Sequence, residues 1–109
     1  MRKIEKEMIE AIKNGKDYKR DNTEVYIYKD EIPSVVSLHL HGRRIATIYP
    51  DELYVIDIGW RTATVKSRLN AILSLYDLGK IYSKNYQWYL KTDKEEEEWT
   101  GSKTFEISK

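Results

Sequence analysis

The 109-residue chain sets 19 Lys and Arg against 18 Asp and Glu, a formal net charge of +1, and contains no cysteine. That length supports one domain (1–109) with one core, and the near-neutral total argues against a simple basic coat for nucleic acid. The missing thiols exclude disulfides, thiolate catalysis and Cys-ligated zinc. No run approaches the ~18 apolar residues that cross a membrane. Met1-Arg2-Lys3 is followed at once by Ile4-Glu5-Lys6-Glu7 rather than by an apolar signal core, which suits a cytoplasmic protein. Nine Tyr, three Trp and one Phe are too many aromatics for a disordered chain, and point to strands, stacking surfaces or interfaces.

In chain order, Ile4, Met8, Ala11 and Ile12 recur at helical spacing, which predicts a helix over Arg2 to Asn14 stopped by Gly15. Lys16 to Thr23 reads as polar and irregular. Alternation predicts strands over Glu24 to Lys29, Val35 to His41, Arg44 to Tyr49 and Leu53 to Ile58, separated by turns at Pro33, Gly42 and Pro50. Such short connections imply an antiparallel meander. Val65, Leu69, Ile72, Leu73 and Tyr76 form the longest apolar stripe, a helix with Thr62 or Thr64 as N-cap and Gly79 as its end. Lys80 to Ser83 and Tyr86 to Lys91 read as a hairpin around Lys84-Asn85. The run Asp93 to Glu98 reads as a solvated loop, and Thr104 to Ile107 as a short last strand. The core is thus placed in 1–91, with 92–109 as a charged loop plus that strand. The fold class is α+β, an antiparallel sheet with two helices. Two helices cover one sheet face, so the other, apolar on these strands too, is expected to meet a second copy.

The neutral total hides an uneven distribution. Arg61 to Lys91 holds six basic residues and one acid, Asp77, whereas Thr92 to Lys109 holds three basic and six acidic. The cations fall at the start of the second helix, where the backbone dipole is already positive and acids belong. Lys66 and Arg68 lie there, Arg61 just upstream, and no acid is adjacent in sequence. An anion would relieve that conflict, since helix N–H groups, hydroxyls and cations together bind phosphate. Thr62, Thr64 and Ser67 supply hydroxyls, and Trp60 supplies a flat face for a base.

Catalysis finds little support, and the protein is read as no enzyme. There is no G-x-S-x-G elbow, P-loop or G-x-G-x-x-G fingerprint, and no evident pair of buried carboxylates. His39 and His41 share a strand face, but a third ligand such as Asp57 cannot be placed by spacing, and no metal or cofactor is assigned.

The tract Gly59-Trp60-Arg61-Thr62-Ala63-Thr64-Val65-Lys66-Ser67-Arg68-Leu69-Asn70-Ala71 carries a resemblance. So do Arg2-Lys3-Ile4-Glu5 with Ala11-Ile12, Asn22-Thr23-Glu24-Val25, Leu40-His41-Gly42 with Ile45-Ala46, and Lys84-Asn85 with Trp88-Tyr89. In this order and spacing, over Met1 to Lys91, they resemble a family of small phage proteins, the first-described Thoeris anti-defence proteins (Tad one). The resemblance implies a sponge. Such proteins hold glycocyclic ADP-ribose, a bacterial immune messenger, uncleaved in the infected host cytoplasm, so the effector is never switched on. It also implies a homodimer or hexamer with the messenger near the subunit interface, and cyclic trinucleotides as ligands of some members. Tyr18 stands where the family pattern has Trp, Arg61 where it has a neutral polar residue, and Val65 where it has Thr. The first departure weakens a stacking contact; the others shift ligand choice.

Combining both readings, Arg68, Lys66, Thr62 and Thr64 are expected at phosphates, Trp60, Tyr18, Asn85 and Tyr86 at base or ribose, and Arg61 in the same ligand-binding site. Two other readings fit the same composition: a single-stranded nucleic-acid binder using the Arg61 to Lys91 block, and an inhibitor docking on a host protein through its tyrosines.

Overall fold

The computed structural model describes residues 1–59 and 61–107. Helix α1 spans Lys3–Asn14 and ends on Gly15 in the left-handed conformation (φ 63°), whose amide and that of Lys16 cap the Ile12 and Ala11 carbonyls. The four strands of the expected meander, β2 (Thr23–Tyr28), β3 (Val35–Leu40), β4 (Arg43–Ile48) and β5 (Glu52–Val55), gain two neighbours, β1 (Tyr18–Arg20) and, returning from the C-terminus, β9 (Lys103–Glu106). They form one antiparallel sheet in the order β1-β2-β3-β4-β5-β9. A smaller sheet joins β6 (Lys80–Lys84), β7 (Gln87–Lys91) and β8 (Glu96–Glu98). The chain is α+β, with α2 (Ala63–Leu75) between the two sheets in sequence.

The alternation read from sequence sorts as expected. Val25 and Ile27, Val36, Leu38 and Leu40, and Leu53 and Val55 are buried on the face that meets the helices. Tyr26 and Tyr28 point the other way and stay 45% and 36% exposed. Strands β3 and β4 are joined by His41-Gly42, both at positive φ (53° and 77°), the two-residue turn whose twist suits a hairpin.

Three expectations are corrected. Residues 16–23 are not wholly irregular: Tyr18–Arg20 pairs with β2 as a short edge strand, held by Tyr18, whose hydroxyl donates to Glu7 of α1 (2.8 Å). The second hairpin turns on Asn85-Tyr86, one residue later than expected, because Lys84 pairs with Gln87. The acidic run is solvated as expected, but only its first half is a loop. The Thr92 hydroxyl accepts from the Lys94 and Glu95 amides, which turns the chain, and Glu96–Glu98 then pairs with β7. Trp99 follows, 3% exposed, with its amide on the Trp88 carbonyl (2.8 Å). Phe105 and Ile107 are buried as well, so residues 92–107 contribute to the core rather than trailing from it.

The two sheets are joined through α2. Asn70 accepts from the Ile81 amide (2.7 Å) and donates to the Ile81 carbonyl (2.8 Å), taking the place of a neighbouring strand for β6. Asn70→Leu keeps the side chain's bulk but removes both bonds. It is expected to cost about 1–3 kcal/mol in urea unfolding, because half-buried backbone groups lose their partner.

Candidate functional site at the start of helix α2

Thr62 is the N-cap, as one of the two expected threonines: its hydroxyl accepts from the Val65 amide (3.2 Å). The first turn of α2 contains no acid. Thr62, Thr64 and Val65 line a groove of about 480 Å³ with Leu40 and His41, which the tight β3–β4 turn carries there. This size lies within the range of small-molecule sites.

Two cations adjoin the groove's residues in the chain, Arg61 before Thr62 and Lys66 after Val65. Arg61 is paired with Asp57 (3.2 Å), and its guanidinium lies 5.9 Å from the Trp88 ring centroid, within cation–π range. Asp57 also accepts from the Gly59 amide (2.9 Å), and its own amide donates to Ser102 (2.9 Å). The aspartate therefore shapes the loop before α2 and does not join His39 and His41, while His39 bonds Ser37 (2.9 Å). Among the described residues no cluster of three potential metal ligands occurs. Lys66 reaches across to β6 and donates to the Ser83 hydroxyl (3.1 Å). The start of α2 and the second sheet thus share one surface, with Asn85-Tyr86 at the tip of the same hairpin.

Tyr86 is fully exposed and sits at φ 65°. A non-glycine residue in this region costs roughly 1–2 kcal/mol, and a bulky exposed side chain gains nothing from its own fold there. Asn85 (φ 53°) shares the turn, where asparagine is well suited.

Arg68 requires a correction. It is 4% exposed and belongs to the interior. Its guanidinium donates to the Glu5 carboxylate (2.7 Å) and to the Thr23 hydroxyl (3.0 Å), and the Ser67 hydroxyl donates to the same carboxylate oxygen of Glu5. The other Glu5 oxygen accepts from the Arg2 amide at the start of α1 (3.3 Å). Burial by itself raises the Glu5 carboxyl, but the hydrogen bonds from Ser67, Arg68 and Arg2 outweigh it and hold it below the ordinary glutamate range. The acid that the sequence did not place beside α2 is therefore Glu5, sixty-three positions away. It removes Arg68 and Ser67 from any ligand, and relieves part of the charge conflict internally.

The remaining expected residues divide. Thr62, Thr64, Arg61 and Lys66 come together at one helix start, with Asn85 and Tyr86 along the adjoining hairpin. Tyr18 is half-buried on the edge strand β1 and shares Glu7 with Arg20 (2.7 Å), tied to α1 rather than to α2. Trp60 lies outside the described residues. His41, Ser83 and Trp88 were not chosen from sequence. His41-Gly42 already stood out as a turn, but only the fold brings that turn to α2. A second, apolar pocket of about 360 Å³ lies at the other ends of both helices, between Ile12, Leu75, Tyr76 and Val36. Among the described residues its only charged lining residue is Lys13, so they offer little to a phosphorylated ligand.

No curated protein and no solved structure matches the chain. None of its described helices is long and apolar enough to cross a membrane. The family model described as Kyanoviridae Gp96 protein matches residues 1–106, so it covers both sheets, both helices and the returning strand β9. The chain belongs to that family, a family of phage proteins.

Proposed function

We propose that this phage protein is a non-catalytic sponge for cyclic nucleotide immune signals, with glycocyclic ADP-ribose as its ligand and cyclic trinucleotides as a second class. It acts in the cytoplasm of the infected bacterium, as an assembly of at least two copies, and blocks Thoeris-type signalling by holding the messenger. The observation that carries the reading is the acid-free start of α2, where Thr62 and Thr64 border a groove and Arg61 and Lys66 stand next to them in the chain. The tract that resembles the anti-defence family begins this helix. A pyrophosphate suits the helix end and its cations, and Tyr86 offers an exposed ring to a base.

Titration calorimetry with glycocyclic ADP-ribose is expected to give nanomolar binding, about −12 kcal/mol, with intact messenger recovered after heating the complex. Lys66→Ala is expected to weaken it at least tenfold. Tyr86→Gly is expected to weaken it while leaving the melting temperature almost unchanged, because relief at φ 65° offsets the greater freedom of the unfolded chain. Absence of any thermal shift with saturating messenger would overturn the reading.

One observation favours single-stranded nucleic acid as the second reading. Tyr82 and Tyr89 stack on the second sheet (centroids 5.5 Å apart), with Lys80, Lys84 and Lys91 on the neighbouring pairs. Glu96 and Glu98 pair in register with Lys91 and Tyr89 and weigh against it. A polymer binder touching ~6–10 phosphates loses ~10³–10⁵ in affinity between 50 and 200 mM salt, whereas a pocket for one small dianion depends on salt far less.

A further inference from the structure

The face of the six-stranded sheet turned away from the helices has an ordered pattern of side chains. The register places Tyr26, Ser37, Thr47, Tyr54 and Thr104 side by side across five strands as its central row. On one side of it run Lys19, Glu24, His39 and Arg44. On the other run Tyr28 with Val35, and Glu52 with Glu106. One flank is therefore net basic and the other net acidic.

Three features of this face are unexplained by the single chain. Tyr26 and Tyr28 lie exposed, edge to face with ring centroids 4.8 Å apart. The Thr47 hydroxyl is buried in the central row without a hydrogen-bond partner among the described residues. Glu52 and Glu106 are direct cross-strand partners, a like-charge pair that destabilises a sheet. With Asp51 they line a shallow groove, and none of the four ion pairs among the described residues involves them or Arg44.

We propose that this face is the contact between two copies of the chain, related by a twofold axis running across the strands near the central row. Such an axis exchanges the two flanks, so the acidic flank of each copy meets the basic flank of the other. Arg44 of each copy enters the groove of Asp51, Glu52 and Glu106 on its partner, and the tyrosines form the centre. Tyrosine suits this role, since it buries a large area with few rotatable bonds. The charge pattern selects a second copy as the occupant because the two flanks are complementary within one molecule. Six strands ~4.8 Å apart, the three longest of six residues, give a face of at most about 24 by 20 Å, at the small end for a stable dimer. The association is accordingly concentration-dependent.

Sedimentation equilibrium of the full chain without ligand tests this, from about 1 µM to about 100 µM, where an interface of this size associates. The interface deepens the assembly of at least two copies in the sponge reading and rests on that part of it; the assay needs no messenger, so a chain that stays monomeric yet binds the messenger fails this proposal and leaves ligand storage standing. The wild type is expected to form a dimer. Glu106→Lys is expected to weaken it at least tenfold and yet raise the melting temperature of the dissociated chain, because it removes the repulsion with Glu52. Arg44→Glu is expected to weaken it similarly, and the two changes together to restore it. A chain that stays monomeric throughout the range overturns the proposal. So does a dimer that neither substitution weakens, or a double variant that fails to recover.

Discussion

Arg68→Ala is expected to destabilise the fold by about 3–5 kcal/mol, the cost of leaving a buried carboxylate without its cation. The whole domain holds only about 5–15 kcal/mol, so a substantial unfolded fraction is expected at growth temperature. The pair joins α1, α2 and β2: Glu5 and Arg68 are almost wholly buried, and Thr23 and Ser67 complete their hydrogen bonds. Urea denaturation followed by circular dichroism measures the loss. Replacing both partners by methionine is expected to recover most of it, since no charge is then left buried. A loss as small as that of a surface pair, under about 1 kcal/mol, would remove the network from its structural role.

The same network sets an acid limit. The Glu5 carboxyl titrates below its unfolded value, so its contribution is complete above that unfolded value and is lost as pH falls through the lower folded one. Stability measured against pH in the acid range is expected to fall less steeply in Glu5→Gln than in the wild type. The consequence for function is direct. Loss of ligand binding in Arg68→Ala reports unfolding, so the site is tested with Lys66 and Tyr86, whose side chains the core does not use.

Trp99→Ala is the second large effect, about 3–5 kcal/mol. The indole is 3% exposed and belongs to the main core, although it follows four consecutive glutamates. Two of those acids act on neighbours: Glu97 binds Lys103 (2.6 Å), and the nearby Glu96 carboxylate, with burial, pushes the Tyr82 hydroxyl up to about 12. Ending the chain at residue 91 is expected to abolish cooperative unfolding altogether, since β8, β9, Trp99, Phe105 and Ile107 leave together. A truncated chain that keeps a wild-type melting curve would show the opposite, that the core is complete without them.

The motif that carries the resemblance has a mixed physical meaning. Glu5, Thr23, Ser67 and Arg68 stand in three of its separate pieces and meet in one buried network. Asn70 docks the second sheet, and His41-Gly42 makes a hairpin turn. Much of the pattern therefore specifies the fold. Thr62, Thr64 and Lys66, together with Arg61, remain as the part that stays at the surface, with the two threonines lining the groove.

Local patterns were legible in the residues alone. Period-two alternation placed β2 to β5, the helical stripe placed α1 and α2, and Gly15 and Thr62 marked a stop and a start, because each depends on neighbours a few positions apart. The α+β class and the uncovered tyrosine face followed from those periods. Only the folded chain decided which charges were spent internally. Arg68 and Lys66 look alike along the helix, but a two-residue step turns them about 200° apart on its surface. One meets Glu5 in the interior; the other reaches Ser83 at the rim. Pairings between distant parts of the chain, like that of Glu52 with Glu106 between β5 and the C-terminal strand, depend on register and packing that no local period encodes.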